Sequence, residues 1–156
     1  MTKRVELSLS AEECGIGDTD CVFKEPVQVS AELTNINGII RAKGFVRTGY
    51  ETFCARCLKP VYCSIEKPFD EEYVGAGSLR GTRSDEAEVY EYSDKEIDIS
   101  LAARDAVLLE IPIRHLCGED CKSLCPVCGK DLNEGDCDCE LRPADARFEV
   151  LKDYYL

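Results

Sequence analysis

The sequence predicts an α+β fold, in which an antiparallel β-sheet carries one buried helix and is followed by a cysteine-rich segment and a short C-terminal helix. Apolar and polar residues alternate in the first half, a helical pattern follows near residue 100, and cysteines then crowd residues 117–139. A chain of 156 residues suffices for one core. We therefore expect a β-rich domain over residues 1–113, with its helix near 100–110, and a tail over 114–156 in the same structural unit.

The first strands are predicted from alternation. Residues 5–9 and 27–33 place apolar side chains at every second position, which is the period of a half-buried strand. Asn37-Gly38 predicts a two-residue hairpin turn, because both residues tolerate the left-handed backbone that such turns require. Residues 39–46 would return as the antiparallel partner.

The sheet is expected to continue beyond this hairpin. Thr48-Gly49 predicts a second turn, and residues 61–73 predict another strand. Pro68 should interrupt that strand, because proline lacks the amide that a strand ladder uses. Residues 75–95 combine glycines with acids and predict a mobile loop.

One helix is expected to cover the sheet. Ser100 can cap it through its hydroxyl, and Pro112 ends it. Residues 101–109 are apolar over more than one stripe, which predicts a well-buried helix. Pro143 suits the first turn of a closing helix over residues 143–155.

The formal net charge of −12 bears on what the chain can bind. It arises from 31 acids against 19 bases, and residues 85–98 carry seven acids against one lysine. Nucleic-acid binding draws on lysine and arginine, so this balance opposes extensive contact with RNA and favours a basic protein partner. No apolar run is long enough to cross a bilayer, and the N-terminal residues do not resemble a signal peptide. We expect a cytoplasmic protein without a membrane partner.

Eleven cysteines in a chain expected to be cytoplasmic indicate metal ligands, since disulfides are rare in a reducing compartment. Zinc takes four tetrahedral ligands and binds thiolates well. The motif Cys-Pro-Val-Cys-Gly followed by Cys-x-Cys predicts a structural zinc site that stabilises the tail, formed by Cys125, Cys128, Cys137 and Cys139. A second zinc ion could bind Cys54, Cys57, Cys117 and Cys121. A single zinc ion, with those four cysteines free, is the alternative.

The cysteines could instead serve catalysis. Catalytic zinc sites typically have histidine or carboxylate ligands. The chain has a single histidine, His115, which could bind zinc only in place of one of the cysteines. No metalloprotease, nucleophile-elbow or phosphate-loop motif occurs. The Cys54–Cys57 pair lies between strand-like segments, which opposes redox catalysis. We therefore expect no enzyme activity and no small-molecule substrate. The cysteines without ligand spacing are expected to be small core or surface residues: Cys14, Cys21 and Cys63.

The order of motifs resembles the YceD family, the large ribosomal RNA subunit accumulation proteins. The resemblance lies in Cys54-Ala-Arg-Cys57-Leu58, the acidic strand near residues 69–73, Ile97-Asp98-Ile99, and Leu108-Leu109-Glu110-Ile111-Pro112. The tail adds Cys117, Cys121-Lys122-Ser123-Leu124-Cys125-Pro126-Val127-Cys128-Gly129-Lys130-Asp131-Leu132-Asn133, Cys137-Asp138-Cys139 and Asp145-Ala146-Arg147. The resemblance implies a bacterial or organellar protein that supports accumulation of large-subunit ribosomal RNA, and it implies no catalytic residue.

Three functions follow as hypotheses. The favoured one is a ribosome-biogenesis accessory protein that binds a basic ribosomal protein or a large-subunit assembly intermediate, since an acidic factor could hold such a protein until RNA displaces it. The second is a zinc module that binds ribosomal RNA directly. The third is a thiol-based zinc or redox sensor, which needs exposed reactive thiols. The RNA hypothesis rests on a patch of five bases: Arg41, Lys43, Arg47, Arg56 and Lys59.

Overall fold

The computed structural model describes residues 2–17, 19–77, 90–93 and 96–140. Its elements are β1 (Thr2–Leu9), β2 (Val22–Phe23), β3 (Val27–Ile36), β4 (Ile39–Phe53), β5 (Pro60–Gly75), β6 (Tyr90–Tyr92) and the helix α1 (Ser100–Glu110). The described chain is therefore mostly β. The closing helix predicted over residues 143–155 lies outside the described residues, as do residues 78–89 and 94–95 of the predicted loop.

The six strands form one mixed sheet with the order β1-β3-β4-β5-β6, and β2 also pairs with β4. Every pairing is antiparallel except that of β5 with β6, which is parallel. The prediction of an antiparallel sheet is wrong at this edge, and the loop prediction is wrong at residues 90–92. The Tyr90 ring stacks on Tyr73 with a centroid distance of 5.2 Å, a contact that no local sequence pattern signals.

The predicted hairpin at Asn37-Gly38 is confirmed. Ile36 pairs with Ile39 across the turn, and Asn37 and Gly38 have φ values of 55° and 89°. These values belong to the left-handed region that a two-residue hairpin uses at both central positions. The turn sets the register of β3 against β4.

The turn predicted at Thr48-Gly49 does not form, and β4 runs through it to Phe53. Gly49 instead makes room for Tyr62 on β5: a Cβ at position 49 would lie 2.1 Å from the Tyr62 hydroxyl. The predicted break at Pro68 is also wrong, since β5 runs through it and Pro68 pairs with Phe45. The described part of β6 pairs only with residues 73–75, so Pro68 lies where β5 has an open edge, which tolerates a missing amide.

One face of the sheet packs against α1. The helix contributes one stripe, Ala102, Ala103 and Val107, while Leu108 and Leu109 stay 38% and 85% exposed. The prediction of a broadly buried helix is therefore wrong, because the sheet covers a single side of it. The sheet side of this core consists of Val27, Val29, Ala31, Ala42, Val46, Tyr50, Ile65, Phe69 and Tyr73.

The helix begins at Ser100, but Ser100 does not cap it. Asp98 Oδ1 accepts a hydrogen bond from the Ser100 amide at 2.9 Å. A carboxylate is a stronger acceptor than a hydroxyl and also complements the positive end of the helix dipole. Within the described ranges, no helix is long and apolar enough to cross a membrane.

Candidate metal centres

The loop that joins β4 to β5 is a tight turn built around Cys54 and Cys57. The Leu58 amide donates to the Cys54 carbonyl at 2.9 Å, and the Cys54 amide donates to the Lys59 carbonyl at 2.8 Å. Leu58 has φ 59°, a left-handed conformation that costs a non-glycine residue on the order of 1–2 kcal/mol. The turn buries both cysteines, which are 0% and 4% exposed.

The tail contains the same turn at Cys125 and Cys128. The Gly129 amide donates to the Cys125 carbonyl at 2.9 Å, and the Cys125 amide donates to the Lys130 carbonyl at 2.8 Å. Gly129 has φ 75°, which glycine adopts without strain. Leu58 and Gly129 thus occupy equivalent positions in two turns with the same hydrogen bonds.

The first turn contributes two thiols to a group of four that we call the sheet centre: Cys54, Cys57, Cys117 and Cys121. Their Sγ atoms all lie within 4.8 Å of one another. The Cys54–Cys121 and Cys57–Cys117 sulfur pairs are 3.8 and 3.5 Å apart. A tetrahedral zinc ion with Zn–S bonds of about 2.3 Å separates its sulfurs by about 3.8 Å, whereas a disulfide needs about 2.05 Å. The group therefore fits zinc and not disulfides.

The second turn contributes to the tail centre, which consists of Cys125, Cys128, Cys137 and Cys139. These Sγ atoms also lie within 4.8 Å of one another. The structure thus brings together the same two sets of four cysteines that the sequence grouped. Either set could hold one metal ion. The tail centre is the more open, since Cys125 alone is buried, Cys137 and Cys139 are half-buried and Cys128 is exposed.

Backbone amides favour the thiolate form of the first cysteine in each turn. The Cys57 amide is the main cause that lowers the pKa of Cys54 to about 6, and the Arg56 amide adds a bond of 3.5 Å to the same sulfur. In the tail, the Cys128 amide lowers the pKa of Cys125 to about 6 in the same way. Metals bind the thiolate, so both turns stabilise the ligating state.

Hydrogen bonds and ion pairs join the β4–β5 turn to the cysteine-rich tail. The Leu124 amide donates to the Arg56 carbonyl at 3.3 Å, and Arg56 Nη1 donates to the Cys121 carbonyl at 2.9 Å. Lys59 Nζ lies 2.9 Å from both Asp131 Oδ2 and Glu134 Oε1. Hydrogen bonding to these two carboxylates raises the pKa of Lys59. The centres therefore share one scaffold that spans the sheet and the tail.

His115 bonds to residues outside the two sulfur groups. Its Nε2 lies 2.9 Å from the hydroxyl of buried Tyr50, and its carbonyl accepts a bond from the Ala55 amide at 2.8 Å. It belongs to neither sulfur group. These contacts fix the chain just before Cys117, so His115 positions a ligand without being one of the grouped residues.

The other three cysteines lie apart from the two centres. Cys14 is buried in the core between the sheet and α1, and Cys21 and Cys63 pack against that core half-buried. None of them belongs to a sulfur group among the described residues.

All five bases predicted as an RNA patch form hydrogen bonds or ion pairs with other residues of the chain. Arg41, Lys43 and Arg47 share one face of β4, as their spacing indicates. Arg41 forms two hydrogen bonds to Asp70, at 2.6 and 2.7 Å, and Lys43 lies 3.7 Å from the same carboxylate. Arg47 donates to Glu66 at 2.7 Å. Arg56 and Lys59 make the bonds to the tail described above.

The sequence reasoning missed Asn133. Its Nδ2 lies 3.6 Å from the Cys121 sulfur, and its Oδ1 accepts a bond from the Lys122 amide at 2.8 Å. Its backbone amide in turn donates to Asp131 at 2.8 Å. The signal was present in Lys130-Asp131-Leu132-Asn133, a polar run directly after a ligand turn, where side chains that orient ligands are expected.

Comparison with known proteins gives a family match. The profile described as "Large ribosomal RNA subunit accumulation protein YceD" matches residues 42–154. A Zea mays protein named "Large ribosomal RNA subunit accumulation protein YCED homolog 1, chloroplastic" is 32% identical over 147 residues, covering 76% of this chain and 50% of the relative. Its Arabidopsis thaliana namesake is 34% identical over 152 residues, covering 81% and 47%.

A bacterial match covers less of the chain. An uncharacterised protein of Mycobacterium tuberculosis is 38% identical over 79 residues, covering 51% of this chain and 38% of the relative. The chain thus spans about half the length of the plant relatives that it matches, and less of the bacterial one. No solved structure matches it.

Proposed function

The chain belongs to the YceD family of large ribosomal RNA subunit accumulation proteins, and we propose that it is an accessory factor in large-subunit assembly. In this proposal it binds a basic ribosomal protein, or an assembly intermediate that exposes one, and holds it until ribosomal RNA displaces it. The accumulation of large-subunit RNA would follow, because unassembled RNA lacks the proteins that protect it.

The observation that carries this proposal is that all five candidate bases already bond to other residues of the chain. A phosphate that approached Arg41 or Arg47 would meet the carboxylate of Asp70 or Glu66 on the same guanidinium, and that negative charge opposes it. The net charge of −12 further opposes approach to RNA and favours approach to a cationic protein. Direct binding of ribosomal RNA is therefore the second candidate, supported by the family's name and by the common face of these bases.

Each centre is proposed to hold one structural zinc ion. Among the described residues, the only apolar side chains packed against the buried thiols of the sheet centre are Val61 and Leu124, both partly buried. Such a cluster is too small to order the tail by hydrophobic burial alone. A structural zinc ion contributes on the order of 10 kcal/mol at neutral pH, which would be enough.

The chain is proposed to act by binding and not by catalysis. In this proposal the eight grouped thiols bind the two zinc ions, and the single histidine is bonded to Tyr50. A cytoplasmic location also stays a prediction, and the names of the two plant relatives place those proteins in chloroplasts.

Affinity capture from a low-salt lysate tests the proposal. Ribosomal RNA and ribosomal proteins are scored separately, with and without ribonuclease, and an unrelated protein of similar net charge serves as the control. We expect a basic large-subunit protein to stay bound after ribonuclease treatment and to leave as salt is raised, because exposed charges are screened.

A variant distinguishes the second candidate. Replacing Arg41, Lys43 and Arg47 by glutamine together should leave capture unchanged if the partner is a protein. If all ribosomal material disappears with ribonuclease, and the triple variant captures none, the chain binds RNA and the protein-partner proposal is wrong.

A further inference from the structure

An apolar patch lies beside the sheet centre, at the end of the β4–β5 hairpin. The register places Phe53 opposite Pro60 and Tyr62 opposite Glu51, on the sheet face away from the core. Phe53 is 63% exposed, Tyr62 54% and Leu58, in the turn itself, 62%. We call Phe53, Leu58, Pro60 and Tyr62 the hairpin-end patch.

The fold does not require leucine at position 58. The equivalent Gly129 makes the same backbone bonds without strain, whereas Leu58 holds a left-handed φ of 59°. Leu58 also gains little from burial, since most of its side chain is exposed. Glycine would therefore suit the turn better, and burial does not explain the leucine.

A carboxylate borders the patch at Tyr62, whose hydroxyl donates to Glu25 Oε1 at 2.8 Å. Two other charged side chains beside the patch are already paired: Glu51 with Lys24 at 3.4 Å, and Lys59 with Asp131 and Glu134. The Glu25 carboxylate forms no ion pair among the described residues. Two zinc ions bound by four thiolates each would add a net charge of about −2 per centre close by. Exposed rings next to carboxylates favour a ligand that is both apolar and cationic.

We propose that the hairpin-end patch is the docking surface for a basic segment of an unassembled ribosomal protein. An apolar side chain of that segment packs on Leu58 and Phe53, and a neighbouring lysine or arginine lies over the Tyr62 ring and faces Glu25. This inference rests on the proposed function, and it names the surface through which that function is carried out. The apolar contacts supply affinity, and the acids select a basic partner.

The test begins with RNA-free protein extracted from purified large ribosomal subunits. The protein that the wild-type chain retains is identified by mass spectrometry and purified, and its Kd is measured against wild type, Leu58→Gly and Phe53→Ser. We expect each variant to weaken binding about tenfold, as for loss of an interface anchor. Leu58→Gly should at the same time raise the urea midpoint of unfolding, because it relieves the left-handed leucine.

Phe45→Ser is the matched control, since Phe45 lies on the same face of β4, is 51% exposed and is remote from the turn. Its Kd should match that of wild type within about twofold. Unchanged Kd values for both patch variants, or an equal loss in Phe45→Ser, overturn the docking surface while leaving the proposed function intact. Failure of the wild-type chain to retain any ribosomal protein overturns the proposed function itself. Loss of ribosomal RNA binding in Phe53→Ser, with protein binding unchanged, would assign the patch to RNA instead.

Discussion

Arg41 holds the carboxylate of Asp70 with two parallel hydrogen bonds across β4 and β5, from Nε to Oδ1 at 2.6 Å and from Nη2 to Oδ2 at 2.7 Å. Such a bidentate pair is the strongest form of arginine–carboxylate contact. It occupies one edge of the guanidinium and places a negative charge beside the remaining donors, which opposes an RNA phosphate. It also lowers the pKa of the Asp70 carboxyl.

The pH dependence of this pair can be predicted. Hydrogen bonding by Arg41 lowers the pKa of the Asp70 carboxyl below its ordinary value. The stabilisation is therefore complete above the unfolded-state pKa of about 3.9 and is lost as the pH falls through the lower folded-state pKa. In Arg41→Met, the Asp70 pKa should rise toward its ordinary value, measured by NMR of the side-chain carboxyl carbon. Arg4→Met on β1 is the control, and an equal rise there would contradict the assignment.

Loss of one cysteine ligand from either centre should remove the metal ion of that centre alone. We expect about two zinc ions per wild-type chain and about one in either Cys125→Ser or Cys57→Ser, because each set needs four thiolates. Mass spectrometry under native conditions measures the ratio. Cys63→Ser, which changes a cysteine outside both centres, should keep both ions. One ion in wild type would show that only one of the two sets binds zinc. Loss of both ions in Cys125→Ser would show that the two sets are not independent sites.

Cys125→Ser should also loosen the tail. The tail centre closes residues 125–139 onto themselves, so without its metal this stretch loses its main source of order, while Cys117 and Cys121 stay held at the sheet centre. Limited proteolysis should then cut the tail and leave the sheet intact. Unchanged protease resistance together with unchanged zinc content would refute the assignment.

Asn133 is expected to tune the sheet centre although it is not a ligand. Its amide group lies 3.6 Å from the Cys121 sulfur, and loss of such an outer contact costs about tenfold or more in metal affinity. Asn133→Ala should therefore lose zinc from the sheet centre first, measured by competition with a chromogenic chelator. Lys122→Ala, which keeps the backbone amide that bonds Asn133, is the control. Equal chelator curves for Asn133→Ala and wild type would contradict this role.

Local signals in the sequence predicted the parts of the fold that local chemistry decides. Asn37-Gly38 specified its hairpin because few other residue pairs adopt that turn. The helix range followed from its apolar pattern and from Pro112. The turn prediction at Gly49 was wrong because the glycine makes room for the Tyr62 ring on the neighbouring strand. That contact can be recognised only after the strands are paired.

The candidate metal centres were likewise predictable where their ligands are close in sequence, and less so where they are distant. Cysteines of the tail centre are close in sequence, so their spacing alone grouped them. The sheet centre joins Cys57 to Cys117 across 60 residues, and spacing could propose that grouping only as one alternative. The bonds from Arg41 to Asp70 and from Lys59 to Asp131 depend on register and tertiary packing. For that reason the sequence alone suggested that these bases were free to bind RNA.

His115 provides a test of the ligand assignment. Because its ring bonds to Tyr50 and not to a metal, His115→Ala should keep about two zinc ions per chain. The buried Tyr50 hydroxyl loses this hydrogen bond and keeps its contact with Cys63, so the free energy of unfolding should fall by about 1 kcal/mol. Urea unfolding and zinc analysis of the same sample measure both effects. Loss of one zinc ion would make His115 a ligand.

Gly44 lies on β4 opposite Ala31 of β3, and a substitution there tests the packing of the two strands. A Cβ there would lie 2.0 Å from the Ser30 carbonyl oxygen and 2.7 Å from the Ala31 Cα, both backbone atoms that cannot turn away. Gly44→Ala should therefore lower the free energy of unfolding by about 3 kcal/mol, in the upper range for overpacking. Gly17→Ala, whose added Cβ would meet nothing within 4 Å, should change it by less than about 0.5 kcal/mol. Because the clash is with β3 and not with the thiols, the folded fraction of Gly44→Ala should still bind about two zinc ions. A Gly44→Ala protein as stable as wild type would mean that the two strands lie farther apart than described.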